Sequence, residues 1–230
     1  MLIAANWKMN CLKADAILLA SHIKSGFSGK NTLVLCPSFP LLAVVSGVLA
    51  GSGIKLGGQN CHFEEKGAFT GEVSPEMLKD IGVDYVIIGH SERRAGNNET
   101  DELVRKKAVA AIKAGLKPII CIGELGEERK NGKTQNIILG QIEKSLPEGS
   151  GYVIAYEPVW AIGTGLTPTS EEIAEVTGLI KQKKPQIEVL YGGSVTDSNC
   201  MEISKISNVS GFLVGGASLD IGKFSKIMNV

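Results

Sequence analysis

Short apolar segments rich in β-branched residues recur along the chain at intervals of about 30 residues, the length of one strand–helix unit. Eight of them are predicted to be β-strands: Leu2–Asn6, Thr32–Cys36, Lys55–Gln59, Tyr85–Ile88, Lys117–Ile122, Tyr152–Tyr156, Glu188–Tyr191 and Gly211–Val214. Their hydrophobicity is continuous rather than alternating, which is typical of parallel strands buried on both faces. The pattern therefore favours a parallel sheet that is covered by helices.

Segments with helical spacing lie between the predicted strands. They include Lys13–Lys24, Thr100–Ala114, Glu127–Leu146 and Glu171–Lys183. Ser170 is expected to cap the last of these, and Ser74-Pro75 is expected to begin another helix. Eight alternating strand and helix units with no linker between them predict a single α/β domain over residues 1–230, folded as a (β/α)8 barrel.

An open, doubly wound sheet is the alternative architecture for the same alternation of elements. That fold places a Gly-x-Gly-x-x-Gly turn after its first strand, whereas the first strand here runs into Asn6-Trp7-Lys8-Met9-Asn10. We therefore expect the closed barrel. Its active site lies at the carboxyl ends of the strands, so the residues that follow each strand are the candidates for function.

Charge and cysteine content argue against several classes of function. The chain has 24 Lys and Arg residues and 24 Asp and Glu residues, so no basic excess is present for binding nucleic acid or an anionic membrane surface. The amino terminus lacks the basic and apolar regions of a signal peptide. The five cysteines include no Cys-x-x-Cys pair, which argues against a zinc site and favours a reducing compartment. We expect a cytoplasmic protein without a metal.

Side chains with useful chemistry follow strands 1, 4 and 6. Glu157 comes directly after Tyr152–Tyr156; it is either a surface glutamate or a base strengthened by apolar neighbours. His90 is either a packing or capping residue or a neutral ring that donates a hydrogen bond to a substrate oxygen. Asn6 and Lys8 are two residues apart, so an extended segment would direct both to the same face. Lys8 is either a solvated charge or a cation that offsets an oxyanion.

Glycine turns follow strands 7 and 8. Gly192-Gly193-Ser194 and Gly215-Gly216 leave backbone N–H groups free to converge on an anion. Each pair alone is also consistent with a simple turn, but barrels of this kind frequently bind phosphate at these two loops. Gly163, in the loop after Glu157, is a further source of N–H donors. The turns together predict a phosphate site at one side of the barrel mouth.

Five segments resemble the signature motifs of the triosephosphate isomerase family, in that family's order. They are Asn6–Asn10, Gly89–Arg94, Ala155–Gly165, Tyr191–Val195 and Gly211–Leu219. The resemblance extends from one end of the chain to the other. It implies an enzyme without a cofactor that interconverts dihydroxyacetone phosphate and D-glyceraldehyde 3-phosphate by proton transfer through an enediolate.

The same resemblance implies roles for individual residues. Glu157 would abstract the proton next to the substrate carbonyl, and neutral His90 would polarise that carbonyl. Lys8 would offset negative charge with support from Glu92, and Asn6 would help to position the substrate. The residues expected to bind the phosphate are Gly163, Ser194, Gly215 and Gly216. The expected mobile lid consists of Pro158, Val159, Trp160, Ala161, Ile162, Gly163 and Thr164.

The long segment from Asn60 to Ser74 resembles the family's dimer loop, so the resemblance implies a homodimer. The residues expected at its interface are Cys11, Thr70, Gly71 and Glu72.

Two segments depart from the family pattern. Leu166-Thr167-Pro168 replaces a Lys-Thr-Ala-like hinge, and proline restricts both itself and the preceding residue, which predicts a stiffer hinge. Ala95–Asn98 lacks the usual aromatic side chain.

Two other functions stay open: another phosphate-binding barrel enzyme, and a non-enzymatic interaction protein on the same fold. An aldolase of the Schiff-base type would need a lysine that projects from an inner strand. Lys117 opens the fifth predicted strand at the end away from the expected site, which disfavours that chemistry.

Overall fold

The computed structural model describes residues 1–163 and 166–230. They form eight strands: β1 (Leu2–Asn6), β2 (Thr32–Cys36), β3 (Lys55–Gly58), β4 (Tyr85–Ile88), β5 (Lys117–Ile122), β6 (Val153–Tyr156), β7 (Val189–Tyr191) and β8 (Gly211–Val214). Each pairs in parallel with its neighbours, and the ring is closed because Leu2 pairs with Thr32 on one side and with Gly211 on the other. The predicted (β/α)8 barrel is confirmed.

Helices connect the strands on the outside of the barrel. In the described part of the chain they are α1 (Lys13–Gly26), α2 (Leu42–Leu49), α3 (Pro75–Asp80), α4 (Ser91–Gly96), α5 (Asp101–Lys113), α6 (Gly126–Lys130), α7 (Thr134–Ser145), α8 (Ser170–Lys183), α9 (Cys200–Ile203) and α10 (Ile221–Met228). Short 3-10 turns add Phe39–Leu41, Val159–Ala161 and Gly216–Leu219. No described helix combines the length and the apolar character that crossing a membrane requires.

The core consists of two shells that share the strands. Alternate strand residues such as Ala4, Val34 and Leu213 pack together in one cluster, while the residues between them, such as Ile3 and Leu33, pack in the larger cluster with residues of the helices. Successive strand side chains point to opposite faces, so a strand that is covered on both faces needs apolar residues at every position. This arrangement explains the continuous hydrophobicity of the predicted strands.

The predicted helix Glu127–Leu146 is wrong as a single helix. It is interrupted between Lys130 and Thr134, where Gly132 has a φ of +67° and its N–H donates to the carbonyl of Arg129. A left-handed glycine of this kind ends a helix at little steric cost. The shorter helix α6 has no apolar side chain and no buried residue, whereas α7 buries Ile138 and Ile142, so the apolar spacing of the predicted helix belongs to α7.

The predicted start of α8 is also corrected. Thr169, rather than Ser170, is the N-cap: its hydroxyl accepts from Glu172 N, and the Glu172 carboxylate accepts from Thr169 N at 2.8 Å. This reciprocal pair satisfies two N–H groups of the first turn. The expectation for Ser74 is confirmed, since its hydroxyl accepts from Met77 N and Pro75 is the first residue of α3.

The long loop between β3 and α3 is tied to the barrel at its start. The Asn60 side chain accepts a hydrogen bond from buried Lys107 at 2.9 Å, and Lys107 also pairs with buried Glu99. Farther along, His62 N donates to the Val73 carbonyl at 2.8 Å. These contacts hold the two ends of the loop together and leave its tip exposed.

Candidate active site

A cavity of about 330 Å³ opens at the carboxyl ends of the strands. The sequence-predicted residues that line it are Asn6, Lys8, His90, Glu157, Gly163, Ser194, Gly215 and Gly216. They come from β1, β4, β6, β7 and β8 or from the loops that follow them. A wider surface groove of about 950 Å³ along α5 holds none of these residues. The closed barrel therefore brings the predicted catalytic and phosphate-binding residues into one cavity.

Glu157 is buried at the exit of β6, with only 2% of its side chain exposed. Its Oε2 accepts a hydrogen bond from Ser91 N at 2.9 Å. Oε1 accepts none from the described residues, although His90 Nε2 lies 3.0 Å away. One carboxylate oxygen is thus held in place while the other is available to accept a proton. The interpretation of Glu157 as a surface residue is wrong.

Cys121 of β5 lies close to Glu157, and sequence reasoning did not assign it to the site. Burial, together with the negative charge of Glu157, holds the pKa of the Cys121 thiol well above its usual range. The thiol therefore stays protonated and gives Glu157 a neutral neighbour.

His90 follows β4 and caps α4, as expected for a residue at a helix N-terminus. Its Nδ1 accepts a hydrogen bond from Glu92 N at 3.2 Å. A ring nitrogen that accepts a hydrogen bond carries no proton, so the neutral ring has its proton on Nε2. This is the nitrogen that lies beside Glu157. The cap thus selects a neutral tautomer whose N–H lies on the Glu157 side of the ring.

Lys8 is not part of an extended segment, which corrects the reason expected for its placement. β1 ends at Asn6, and Lys8 has a left-handed φ of +52°. Its N–H donates to Asn6 Oδ1 at 3.0 Å, and its carbonyl accepts from Gln59 Nε2 at 2.9 Å. Gln59 also donates to the Cys36 carbonyl. The turn still directs Asn6 and Lys8 into the same cavity.

Two residues that do not line this cavity support its cationic side. Glu92 lies 2.5 Å from Lys8 Nζ, as the sequence predicted for a supporting acid. The sequence analysis did not identify Gln59 as a supporting residue, because it lies 51 positions after Lys8 and was predicted to be the last residue of a strand. Its position at a strand's carboxyl end was the available signal.

Much of the remaining cavity wall is glycine backbone. Gly215 follows β8, and a Cβ at this position would lie 3.3 Å from Lys8 Cε. Gly216 has open space around it, and Gly163 has a left-handed φ of +71°. Ser194 donates from its hydroxyl to the Ala161 carbonyl at 2.7 Å. This contact joins the loop after β7 to the predicted lid.

The first residues of the predicted lid are held by hydrogen bonds to a buried acidic residue, Glu124. The Glu124 carbonyl accepts from Val159 N at 3.1 Å, and its Oε1 accepts from Trp160 Nε1 at 3.1 Å. Oε1 also accepts from the Tyr156 hydroxyl and lies 3.3 Å from Arg129. Burial, together with the Glu124 charge, raises the pKa of Tyr156. Thr164, the last residue expected in the lid, lies outside the described residues.

The residues expected at a dimer interface lie away from this cavity. Thr70, Gly71 and Glu72 are exposed at the tip of the long loop, and Cys11 is half-buried with a φ of +70°.

Lys117, the candidate for Schiff-base chemistry, opens β5 and pairs with Glu188 at 2.7 Å. Within the described ranges, no cluster of three or more metal-ligating side chains is present.

Comparison with known proteins agrees with this geometry. Residues 1–230 match the family model described as Triosephosphate isomerase. The triosephosphate isomerase of Xanthobacter autotrophicus is 48% identical over 98% of this chain and 94% of its own length. That of Alkaliphilus oremlandii is 48% identical over 99% and 98%. The crystal structure of triosephosphate isomerase from Bartonella henselae matches with a TM-score of 0.91 and 42% identity, over 98% of this chain and 96% of that one. The chain belongs to the triosephosphate isomerase family.

Proposed function

We propose that Glu157, His90 and Lys8 carry out the interconversion of dihydroxyacetone phosphate and D-glyceraldehyde 3-phosphate in this chain. The reaction itself follows from the family to which the chain belongs. The observation that supports the residue assignment is the position of Glu157 Oε1, 3.0 Å from His90 Nε2 on the wall of a cavity with glycine turns. Base, electrophile and anion site are then within the reach of one small substrate.

In the proposed mechanism, Glu157 takes the proton from the carbon beside the carbonyl. The electrons of that C–H bond form the C=C bond of an enediolate, and the carbonyl π electrons move to oxygen. His90 Nε2–H donates to this oxygen and moves a proton between the two enediolate oxygens. Glu157 then returns its proton to the neighbouring carbon. A carboxylate and an imidazole are sufficient for these steps, so the proposal includes no cofactor.

Lys8 and Asn6 complete the proposed catalytic set. The Lys8 ammonium offsets the charge that develops on the enediolate and on the phosphate. Asn6 holds the strained backbone of Lys8 through its Oδ1, and the Glu92 ion pair orients the ammonium. Asn6 and Glu92 therefore position the Lys8 cation, and Asn6 and Lys8 are proposed to contact the substrate.

The phosphate is proposed to bind at Gly163, Ser194, Gly215 and Gly216. All four line the cavity in the loops that follow β6, β7 and β8, where bare backbone lets N–H groups reach an anion. Pro158 to Thr164 would close over the bound substrate, exclude water and protect the enediolate from losing phosphate.

The first experiment is turnover of D-glyceraldehyde 3-phosphate by the purified chain, coupled to the reduction of dihydroxyacetone phosphate. Glu157→Gln should lower kcat by about 10²–10⁴-fold, the usual contribution of a general base. Glu175→Gln, on the exposed face of α8, is the matched control and should keep full activity. If Glu157→Gln turned over within tenfold of the natural chain, Glu157 would not be the base.

We propose a homodimer through the loops that follow β1 and β3. Met9 and Leu12 are 95% and 78% exposed, and Phe69 and Met77 are also exposed near the other loop. The hydrogen bond from Gln59 to the Lys8 carbonyl joins the two loops. Exposed apolar side chains on two such loops are typical of an interaction surface, and a second copy presents the same side chains.

Light scattering after size exclusion tests the dimer. Met9→Glu places a charge in the proposed interface and should yield monomers that remain folded, because Met9 is almost fully exposed. Met201→Glu, at an exposed position on α9, should remain dimeric. A natural chain that is monomeric at micromolar concentration contradicts the proposal.

We also propose a location in the cytoplasm, from the cysteine content, and a single domain over residues 1–230, from the uninterrupted strand–helix pattern.

A further inference from the structure

The charges around the cavity are unevenly distributed for a substrate that carries a phosphate. Three described residues that line it have a formal charge: Lys8, Lys223 and Glu157. Lys8 already pairs with Glu92 at 2.5 Å, and Glu157 is anionic when it acts as a base. A phosphate monoester brings about 1.5 to 2 further negative charges near pH 7. Lys223 is then the cation in this group with the least compensation.

Lys223 is the third residue of α10, directly after the glycine turn of β8. Its Nζ lies 3.7 Å from Asp220 Oδ2, and both side chains are at least half exposed. The other oxygen of Asp220 caps α10, where it accepts from Gly222 N at 3.0 Å and from Lys223 N at 3.2 Å. The ion pair is therefore loose and solvated, and such pairs cost little to break.

We propose that Lys223 is a specificity-determining residue, whose ammonium attracts and holds the phosphate end of the substrate as a second cation on the cavity wall. This inference rests on the proposed function. A lysine on an exposed helix normally has no role beyond solvation. The difference here is that Lys223 lines the same cavity as Gly215, Gly216 and Ser194. It follows that Lys223 favours phosphorylated substrates over neutral ones.

Lys226 provides a matched control one turn farther along α10. It is 68% exposed, like Lys223 at 58%, and its Nζ pairs with Asp197 at 2.9 Å. It is not among the residues that line the cavity. The two lysines therefore lie on the same helix, have the same charge and are similarly exposed, but only Lys223 lines the cavity.

The test compares a phosphorylated substrate with its neutral counterpart. For Lys223→Gln, kcat/KM with D-glyceraldehyde 3-phosphate should fall about fivefold, mainly through KM, since one solvated charge near the anion is lost. The inhibition constant of inorganic phosphate should rise by a similar factor. Isomerisation of unphosphorylated D-glyceraldehyde, followed by NMR, should be unchanged. Lys223→Arg should retain the natural values, and Lys226→Gln should change none of them.

Asp220→Asn tests the same proposal in the opposite direction. Asparagine still caps the helix, but the carboxylate beside Lys223 is lost, so phosphate should inhibit more strongly. The response of kcat/KM to added salt should be weaker in Lys223→Gln than in the natural chain, because salt screens an exposed charge.

Three outcomes would overturn the role of Lys223. These are equal losses with D-glyceraldehyde and its phosphate, equal effects of Lys223→Gln and Lys226→Gln, and an unchanged phosphate inhibition constant. A natural chain without turnover would refute the proposed function instead. In that case phosphate binding by isothermal calorimetry, in the natural chain and in Lys223→Gln, still decides whether this lysine holds the anion.

Discussion

The two sides of the cavity are built from different parts of the chain. The proposed proton-transfer side consists of buried side chains whose atoms are held individually: Ser91 N holds one oxygen of Glu157, and Glu92 N selects the His90 tautomer. The proposed phosphate side consists of backbone at Gly163, Gly215 and Gly216, with Ser194 bonded to Ala161 of the predicted lid. One side depends on atomic positions and protonation, and the other on open space and converging N–H groups.

This difference predicts how each side responds to substitution. A proton must move between atoms about 3 Å apart, so the loss of one group removes a step of the reaction. An anion that several backbone N–H groups hold loses only part of its binding energy when one contact is altered. Changes on the proton-transfer side should therefore act on kcat, and changes on the phosphate side should act on binding.

The largest effect, a loss of kcat without a matching loss of phosphate binding, is expected for His90→Asn. Asparagine can still cap α4 through its side-chain oxygen, but the ring N–H is lost, so kcat should fall by about 10²–10⁴-fold. The inhibition constant of glycerol 3-phosphate, which lacks the carbonyl, should stay within a few-fold. His22→Asn, at an exposed position on α1, is the control. A large rise in that inhibition constant would show that the two sides are not separable.

Gly216→Glu should have the next largest effect, and on binding. A Cβ at Gly216 meets no neighbour within 4 Å, so the substitution adds charge without a clash. Repulsion from the phosphate should weaken glycerol 3-phosphate at least about tenfold, and Gly216→Ala should weaken it much less. Gly47→Glu, at an exposed position on α2, controls for added charge. An unchanged inhibition constant in Gly216→Glu would remove this glycine from the phosphate site.

Gln59→Met examines the residue that links Lys8 to the strand ends. The substitution removes the Gln59 donor from the carbonyls of Lys8 and Cys36. The Cys36 carbonyl still accepts from Trp7 N at 3.1 Å, whereas the loss at the Lys8 carbonyl should cost about 1–3 kcal/mol. The left-handed turn at Lys8 should loosen, with KM raised a few-fold and a smaller change in kcat. Gln182→Met, on the exposed part of α8, is the control. Lower thermal stability with an unchanged KM would limit Gln59 to a structural role.

The smallest effect on turnover is expected for Pro168→Ala. The proline fixes its own φ and restricts Thr167, so alanine should speed lid opening while kcat changes less than about tenfold. NMR relaxation dispersion on lid residues measures the opening rate directly. Pro185→Ala, outside the lid, should leave it unchanged. Equal opening rates in Pro168→Ala and the natural chain would show that the hinge is not stiffened by this residue.

The sequence alone determined the architecture and most of the residues that line the candidate active site. Eight apolar segments identified strands buried on both faces, because that environment excludes polar residues at every position. Their order placed Glu157, His90 and the glycine turns at one end of the barrel. The helix break at Gly132 was missed because α6 has no apolar residues whose spacing could identify it as a separate helix.

Only the tertiary structure decided which atoms meet in the cavity. Gln59 reaches the Lys8 carbonyl across 51 residues, Glu124 holds Trp160 across 36, and Lys223 joins the cavity from the last helix. A sequence pattern records the local period and the burial of a segment. The contacts between distant segments depend on the register at which the eight strands close, so they exist only in the folded barrel.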